Sequence, residues 1–144
     1  MCSPRRRTVL AAAGIVLGTS KGAWAQAPDV SGPDRFFVAE AFRMKDEAVA
    51  RGDQPYGAVL VVAGVIGGYG SSRVVSDRNP DAHAERVALW EAQKRLGRQM
   101  LDGAVVYATS RPCAACQRAL ASAGVARMRV GPTAEDAGPP RASW

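Results

Sequence analysis

Beyond residue 25 the sequence holds one histidine, His83, and two cysteines, Cys113 and Cys116. They are the soft donors available to a metal there. Zinc takes imidazole nitrogen and thiolate sulfur in tetrahedral geometry, and catalytic zinc sites use three protein ligands and keep the fourth position open. One His and two Cys meet that count. A closed structural site needs a fourth His or Cys, which this stretch does not supply. Glu85 follows His83 by two residues, beside the metal without being a ligand. Zinc draws the pKa of a water down to about 7, and a carboxylate next to it can take that proton and return it to a leaving group. Cys113 and Cys116 lie three apart at a helix start, so they share one face, and the positive helix end favours their thiolates.

Two helix starts must therefore meet in space, and the spacing of apolar residues places them. Residues 35–51 carry Phe37, Ala41, Met44 and Ala48 at helical intervals, with Asp34 as the cap and Gly52 as the stop. Pro55-Tyr56-Gly57 marks a turn, and the apolar runs 58–63 and 65–69, separated by Gly64, predict a hairpin. Residues 77–81 are a polar loop containing Pro80, and residues 83–95 are a second helix opened by His83 and Glu85. After Gly103 come a strand over 104–109, a helix over 113–123 with Pro112 at its start, and a last strand over 126–130. The order helix, strand, strand, helix, strand, helix, strand predicts an α/β domain with a mixed sheet covered by helices on its faces. Trp90 and the Phe36-Phe37 pair lie on helical stretches and read as core rather than as stacking platforms.

The chain of 144 residues has 47% hydrophobic and 22% charged residues, a composition and length that suit one domain. Its formal charge is +6, which raises the question of a nucleic-acid partner. Much of that charge lies in the first 25 residues, where Arg5, Arg6 and Arg7 precede an apolar run over 9–18 and the small-residue pattern Ala23-Trp24-Ala25. These are the three parts of an export signal, and the run is shorter than the roughly 20 residues of a spanning helix. Arg6-Arg7-Thr8-Val9-Leu10 resembles a twin-arginine signal, which implies export of a folded protein to the periplasm. Cleavage after Ala25 removes Arg5, Arg6, Arg7 and Lys21 with no acidic residue and lowers the charge to +2. The remaining Arg residues are scattered over helical stretches, so neither nucleic acid nor membrane is an expected partner of the mature chain.

His83-Ala84-Glu85 followed by Pro112-Cys113-Ala114-Ala115-Cys116 is the H-x-E and P-C-x-x-C pair of zinc nucleobase deaminases. With Pro55-Tyr56-Gly57-Ala58-Val59, Pro80-Asp81-Ala82 and Thr133-Ala134-Glu135-Asp136-Ala137, the sequence resembles the cytidine and deoxycytidylate deaminase superfamily, within it the guanine deaminase and tRNA adenosine deaminase branch. The resemblance implies a three-layer α-β-α fold and hydrolytic loss of ammonia from a nucleobase or nucleoside, a guanine-like purine favoured. It implies Zn2+ held by His83, Cys113 and Cys116, with Glu85 moving the protons. It also implies oligomers, a homodimer among them. Ser72 stands at the position of a substrate-touching asparagine and is the expected substrate contact. Arg111 stands where the purine branch carries a glutamate, which puts a cation near the site. The expected domain runs over 34–131 after a linker over 26–33. Residues 132–144 read as a short irregular tail, so the sheet stops short of the fifth strand and C-terminal helix of the relatives.

Two other readings stay open on the residues. Cys-x-x-Cys after a strand and at a helix start is also the thioredoxin arrangement, so Cys113 and Cys116 could be a thiol-disulfide pair. That reading leaves His83 and Glu85 without a role. The departures at Ser72 and Arg111 and the short C-terminus suit a zinc-binding member with weak catalysis.

Overall fold

The computed structural model describes residues 31–143. The expected export signal and most of the linker lie outside the described residues. Three helices and five strands follow one another as α1 (Pro33–Ala50), β1 (Gly57–Val62), β2 (Val65–Ser71), α2 (Ala84–Leu96), β3 (Val105–Ala108), α3 (Ala114–Ser122), β4 (Arg127–Val130) and β5 (Glu135–Gly138). The strands form one sheet in the order β2-β1-β3-β4-β5. β1 pairs antiparallel with both β2 and β3, β3 runs parallel to β4, and β4 pairs antiparallel with β5.

Both faces of the sheet are covered, which is why β1 reads as a continuous apolar run rather than an alternating one. Ala58 and Leu60 face one core with Ala84, Ala88, Leu89, Val106 and Leu120. Val59 and Val61 face the other with Phe37, Ala41, Met44, Ile66 and Tyr107. α1 therefore lies on one side and α2 and α3 on the other, giving the α-β-α layering expected from the sequence. The buried face of α1 is Phe37, Ala41, Met44 and Ala48, the positions its periodicity singled out. The β1–β2 hairpin turns on Ala63 and Gly64, both with positive φ, the mirror-image geometry that matches the twist of paired strands.

Three expectations are corrected. Asp34 does not cap α1: Gly32 holds the cap position and Pro33 the first turn, while the Asp34 carboxylate accepts the Tyr107 hydroxyl from β3. Residues 132–144 are not irregular throughout, because β5 adds a fifth strand. Glu135 and Asp136 are exposed on this edge, with Asp136 3.7 Å from the guanidinium groups of Arg127 and Arg129. A polar edge strand buries little and so lacks the apolar alternation that marks strands in a sequence. Phe37 is core, but Phe36 is 58% and Trp90 39% exposed. Trp90 sits on the outer face of α2 beneath the Arg86 guanidinium, 5.6 Å from its ring centre. Among the described residues no helix is long and apolar enough to cross a membrane.

Candidate metal centre and substrate cavity

α2 and α3 start side by side, and their cap residues carry the donors. His83 is the N-cap of α2 and Cys113 the N-cap of α3, with Cys116 in the first turn of α3. Both caps have extended backbone, which turns their side chains across the helix ends rather than along the helix surface. Cys113 Sγ accepts the backbone N–H of Cys116 at 3.4 Å and so satisfies one orphan donor of the first turn. Gln117, 1% exposed, donates its side-chain amide to the Pro112 carbonyl at 2.9 Å and fixes the peptide leading into Cys113.

His83 Nδ1 lies 3.6 Å from Cys113 Sγ and 3.5 Å from Cys116 Sγ. All three donor atoms fall within 4.8 Å of one another. Zinc bonds of about 2.3 Å to sulfur and about 2.0–2.1 Å to nitrogen, opened to a tetrahedral angle, put such donors about 3.6 Å apart. The spacing and the donor types both fit zinc. Asp81, two residues before His83, pairs with Arg86 of α2 at 2.8 Å and ties the incoming loop to the helix.

Glu85 occupies the first turn of α2 and is 5% exposed. Burial pushes its carboxyl above the usual carboxylate range, against its own backbone N–H, the His83 charge and a hydrogen bond with Cys116. Burial also pushes the Cys116 thiol up, and the Glu85 charge adds to that effect. Without a metal, burial and the neighbouring carboxylate thus work against the Cys116 thiolate that the helix start favours. A bound cation changes the balance, since coordination deprotonates a thiol outright.

A cavity of about 500 Å³ opens over these groups, lined by Gln54, Pro55, Tyr56, His83, Glu85, Ser110, Arg111 and Cys113. That volume lies in the range of small-molecule sites, about 300–1,000 Å³. Its wall comes from the α1–β1 turn and from the segment between β3 and α3. Arg111 is exposed on that wall, so the cation expected near the site does face the cavity. Ser72 does not. It is fully buried just beyond β2, and its hydroxyl donates to Asp53 Oδ1 at 2.9 Å, so the expectation that it touches substrate is corrected. A hydroxyl is short enough to be captured by the neighbouring carboxylate. Gln54 and Ser110 were not singled out in the sequence, because isolated polar residues in turns carry no periodic or motif signal.

The profile of the cytidine and deoxycytidylate deaminase zinc-binding region matches residues 32–132. The chain belongs to the cytidine and deoxycytidylate deaminase family. Within this deaminase family, the tRNA-specific adenosine deaminase of Bacillus subtilis is 34% identical over 98 residues, 68% of this chain and 61% of that protein. The solved structure of guanine deaminase from Bacillus subtilis matches with a TM-score of 0.64 and 33% identity, covering 67% of this chain and 62% of that one. A solved complex with 2,6-diaminopurine matches with a TM-score of 0.64 and 25% identity, covering 73% of this chain and 59% of that one. In each case this chain spans about three fifths of the relative's length.

Proposed function

We propose that the protein is a zinc-dependent hydrolase that removes the exocyclic amine of a free nucleobase or nucleoside, a guanine-like purine first among them. The observation that carries this reading is the meeting of His83, Cys113 and Cys116 at zinc-like spacing with the buried Glu85 carboxyl, beneath one cavity. Zinc held by these residues supplies the Lewis acidity that makes water nucleophilic at neutral pH.

The chain's own groups do the rest. Glu85 takes a proton from the attacking water and delivers it to the departing amine, so that ammonia leaves. Its burial keeps the carboxyl away from bulk water, which suits a group that must hold a proton between those two events. Low local polarity around Glu85 strengthens each electrostatic contact with a bound ring. Gln54 and Ser110 offer amide and hydroxyl groups to the ring edge, and Tyr56 offers an aromatic face at the cavity mouth.

A small substrate is favoured over tRNA because the expected mature chain carries a net +2 only, too little for a strong electrostatic footprint on RNA. The twin-arginine reading of residues 1–25 adds export of the folded, metal-loaded protein, where a free base is the accessible substrate. The thiol-disulfide alternative gives no role to His83, whose ring nitrogen faces both sulfurs, or to Glu85. The test is ammonia release from guanine, adenine, cytosine and their nucleosides by zinc-loaded protein. Release from guanine or guanosine above the others bears the proposal out. Release from cytosine alone moves the substrate to pyrimidines, and no release with zinc bound leaves a non-catalytic member of the family.

A further inference from the structure

We infer that Asp53 is a positioning residue for this site: its carboxylate clamps the wall of the cavity to the loop that delivers His83. The inference rests on the deaminase reading for its kinetic consequence, and on geometry alone for its consequence for metal binding. Asp53 lies in the turn between α1 and β1 and is 8% exposed. Its Oδ1 accepts the Gln54 N–H at 2.8 Å, the Ser72 hydroxyl at 2.9 Å and the Val75 N–H at 3.4 Å, and its Oδ2 accepts the Ser76 N–H at 2.8 Å. One carboxylate thus gathers donors from two segments about 20 residues apart.

The two segments are those the site depends on. From Asp53 the first runs straight into Gln54, Pro55 and Tyr56, the cavity wall. The second leaves β2 at Ser72 and ends at His83. It is bonded within itself, from Asp77 N–H to the Arg73 carbonyl at 2.9 Å, from Asn79 N–H to Val74 at 3.2 Å and from Ala82 N–H to Asn79 at 3.0 Å. Arg73 N–H donates to the Ala82 carbonyl at 2.9 Å, so the start of the loop is fastened to the residue just before His83. Fixing residues 72–76 therefore fixes the approach of His83 to the sulfurs.

An ionised carboxylate suits this place because it only accepts, at up to about four lone-pair sites, and charge-assisted bonds offset its burial. An asparagine keeps the Oδ1 contacts but turns an NH2 group on the Ser76 N–H, donor against donor. An alanine loses all four contacts. Independent ties persist in either variant: Ser72 N–H donates to the Tyr56 carbonyl at 3.1 Å, and the Arg51 guanidinium holds Ser71 Oγ at 2.7 Å and the Ser72 carbonyl at 3.1 Å. The fold is thus held while the fine placement is released.

The experiment follows zinc transfer from the loaded protein to an excess of a chromogenic chelator, for wild type, Asp53→Ala, Asp53→Asn and the stability control Val61→Ala, which opens a cavity on the far, α1 side of the sheet. Groups bonded directly to a metal ligand are worth about 10–100-fold in metal affinity; Asp53 acts one step further out, through residues 72–76, so the lower end of that range, about 10-fold, is the ceiling for its effect. Asp53→Ala is expected to release zinc several-fold faster than wild type, up to about 10-fold, Asp53→Asn by an intermediate factor, and Val61→Ala at the wild-type rate despite a lowered Tm. With a substrate in hand, kcat/KM falls in the same order. Equal release by Asp53→Ala and Val61→Ala at equal Tm, or wild-type release by Asp53→Ala, overturns the inference. Wild type that binds zinc but makes no ammonia removes the deaminase reading and leaves the chelator test valid; wild type that binds no zinc overturns both.

Discussion

At the residue scale, what a side chain does is set by what reaches it. The motif residues His83, Glu85, Cys113 and Cys116 were legible because one histidine, one glutamate and two cysteines stand in a specific order and spacing. Ser72 and Asp53 were not, because nothing in Gly52-Asp53-Gln54-Pro55 distinguishes a buried acceptor from an ordinary turn aspartate. Burial alone pushes the Asp53 carboxyl up, but the backbone N–H groups of Ser76 and Gln54, with the hydroxyls of Ser72 and Ser76, outweigh it and hold the group well below the usual carboxylate range. A depressed carboxylate stabilises the fold above its unfolded pKa of about 3.9, and that contribution is lost as pH falls through the folded value. Asparagine does not titrate. The Tm gap between wild type and Asp53→Asn is therefore expected to be constant from about pH 5 upward and to narrow steadily below about pH 4. A gap that widens on acidification contradicts the assignment, and thermal melts across that range decide it.

At the element scale, the helices and the first four strands could be read from periodicity, since α1 shows its buried stripe and β1 its two-sided burial in the sequence itself. Two things were hidden. β5 is a polar edge held by backbone bonds. The glycines of β2 are a packing device: a Cβ on Gly68 would lie 2.0 Å from the Ala88 carbonyl oxygen, and one on Gly70 1.9 Å from that of Ala84. A glycine-rich strand reads as a weak strand, yet here the missing side chains let α2 settle onto the sheet and bring its N-terminus, with His83 and Glu85, to the level of α3. Gly70→Ala forces α2 outward next to Ala84, the residue between those two. We expect a loss of about 1–3 kcal/mol or more, the range for overpacking, read as a lower urea midpoint together with weaker zinc retention. Full stability would show that α2 is not seated through this contact.

At the scale of the whole molecule, the sheet order and the three layers have one outcome for function. β2 and β3 both run antiparallel to β1, so α2 and α3, which follow them in the chain, start at the same end of the sheet. The C-terminal segment contributes as well, since the Arg141 N–H donates to Gln117 Oε1 at 3.3 Å and Gln117 in turn holds the Pro112 carbonyl. The sequence offered no sign of this link, because a buried glutamine on an alanine-rich helix is indistinguishable from an exposed one. Everything converges on one claim, that Glu85 moves protons beside a metal held by His83, Cys113 and Cys116. Its most direct test is ammonia release by zinc-loaded wild type against zinc-loaded Glu85→Gln, with metal content measured on the same samples. The account predicts unchanged zinc and a turnover reduced by about 10²–10⁴-fold, the usual worth of a positioned acid–base group. Equal turnover by the two proteins at equal zinc would contradict it.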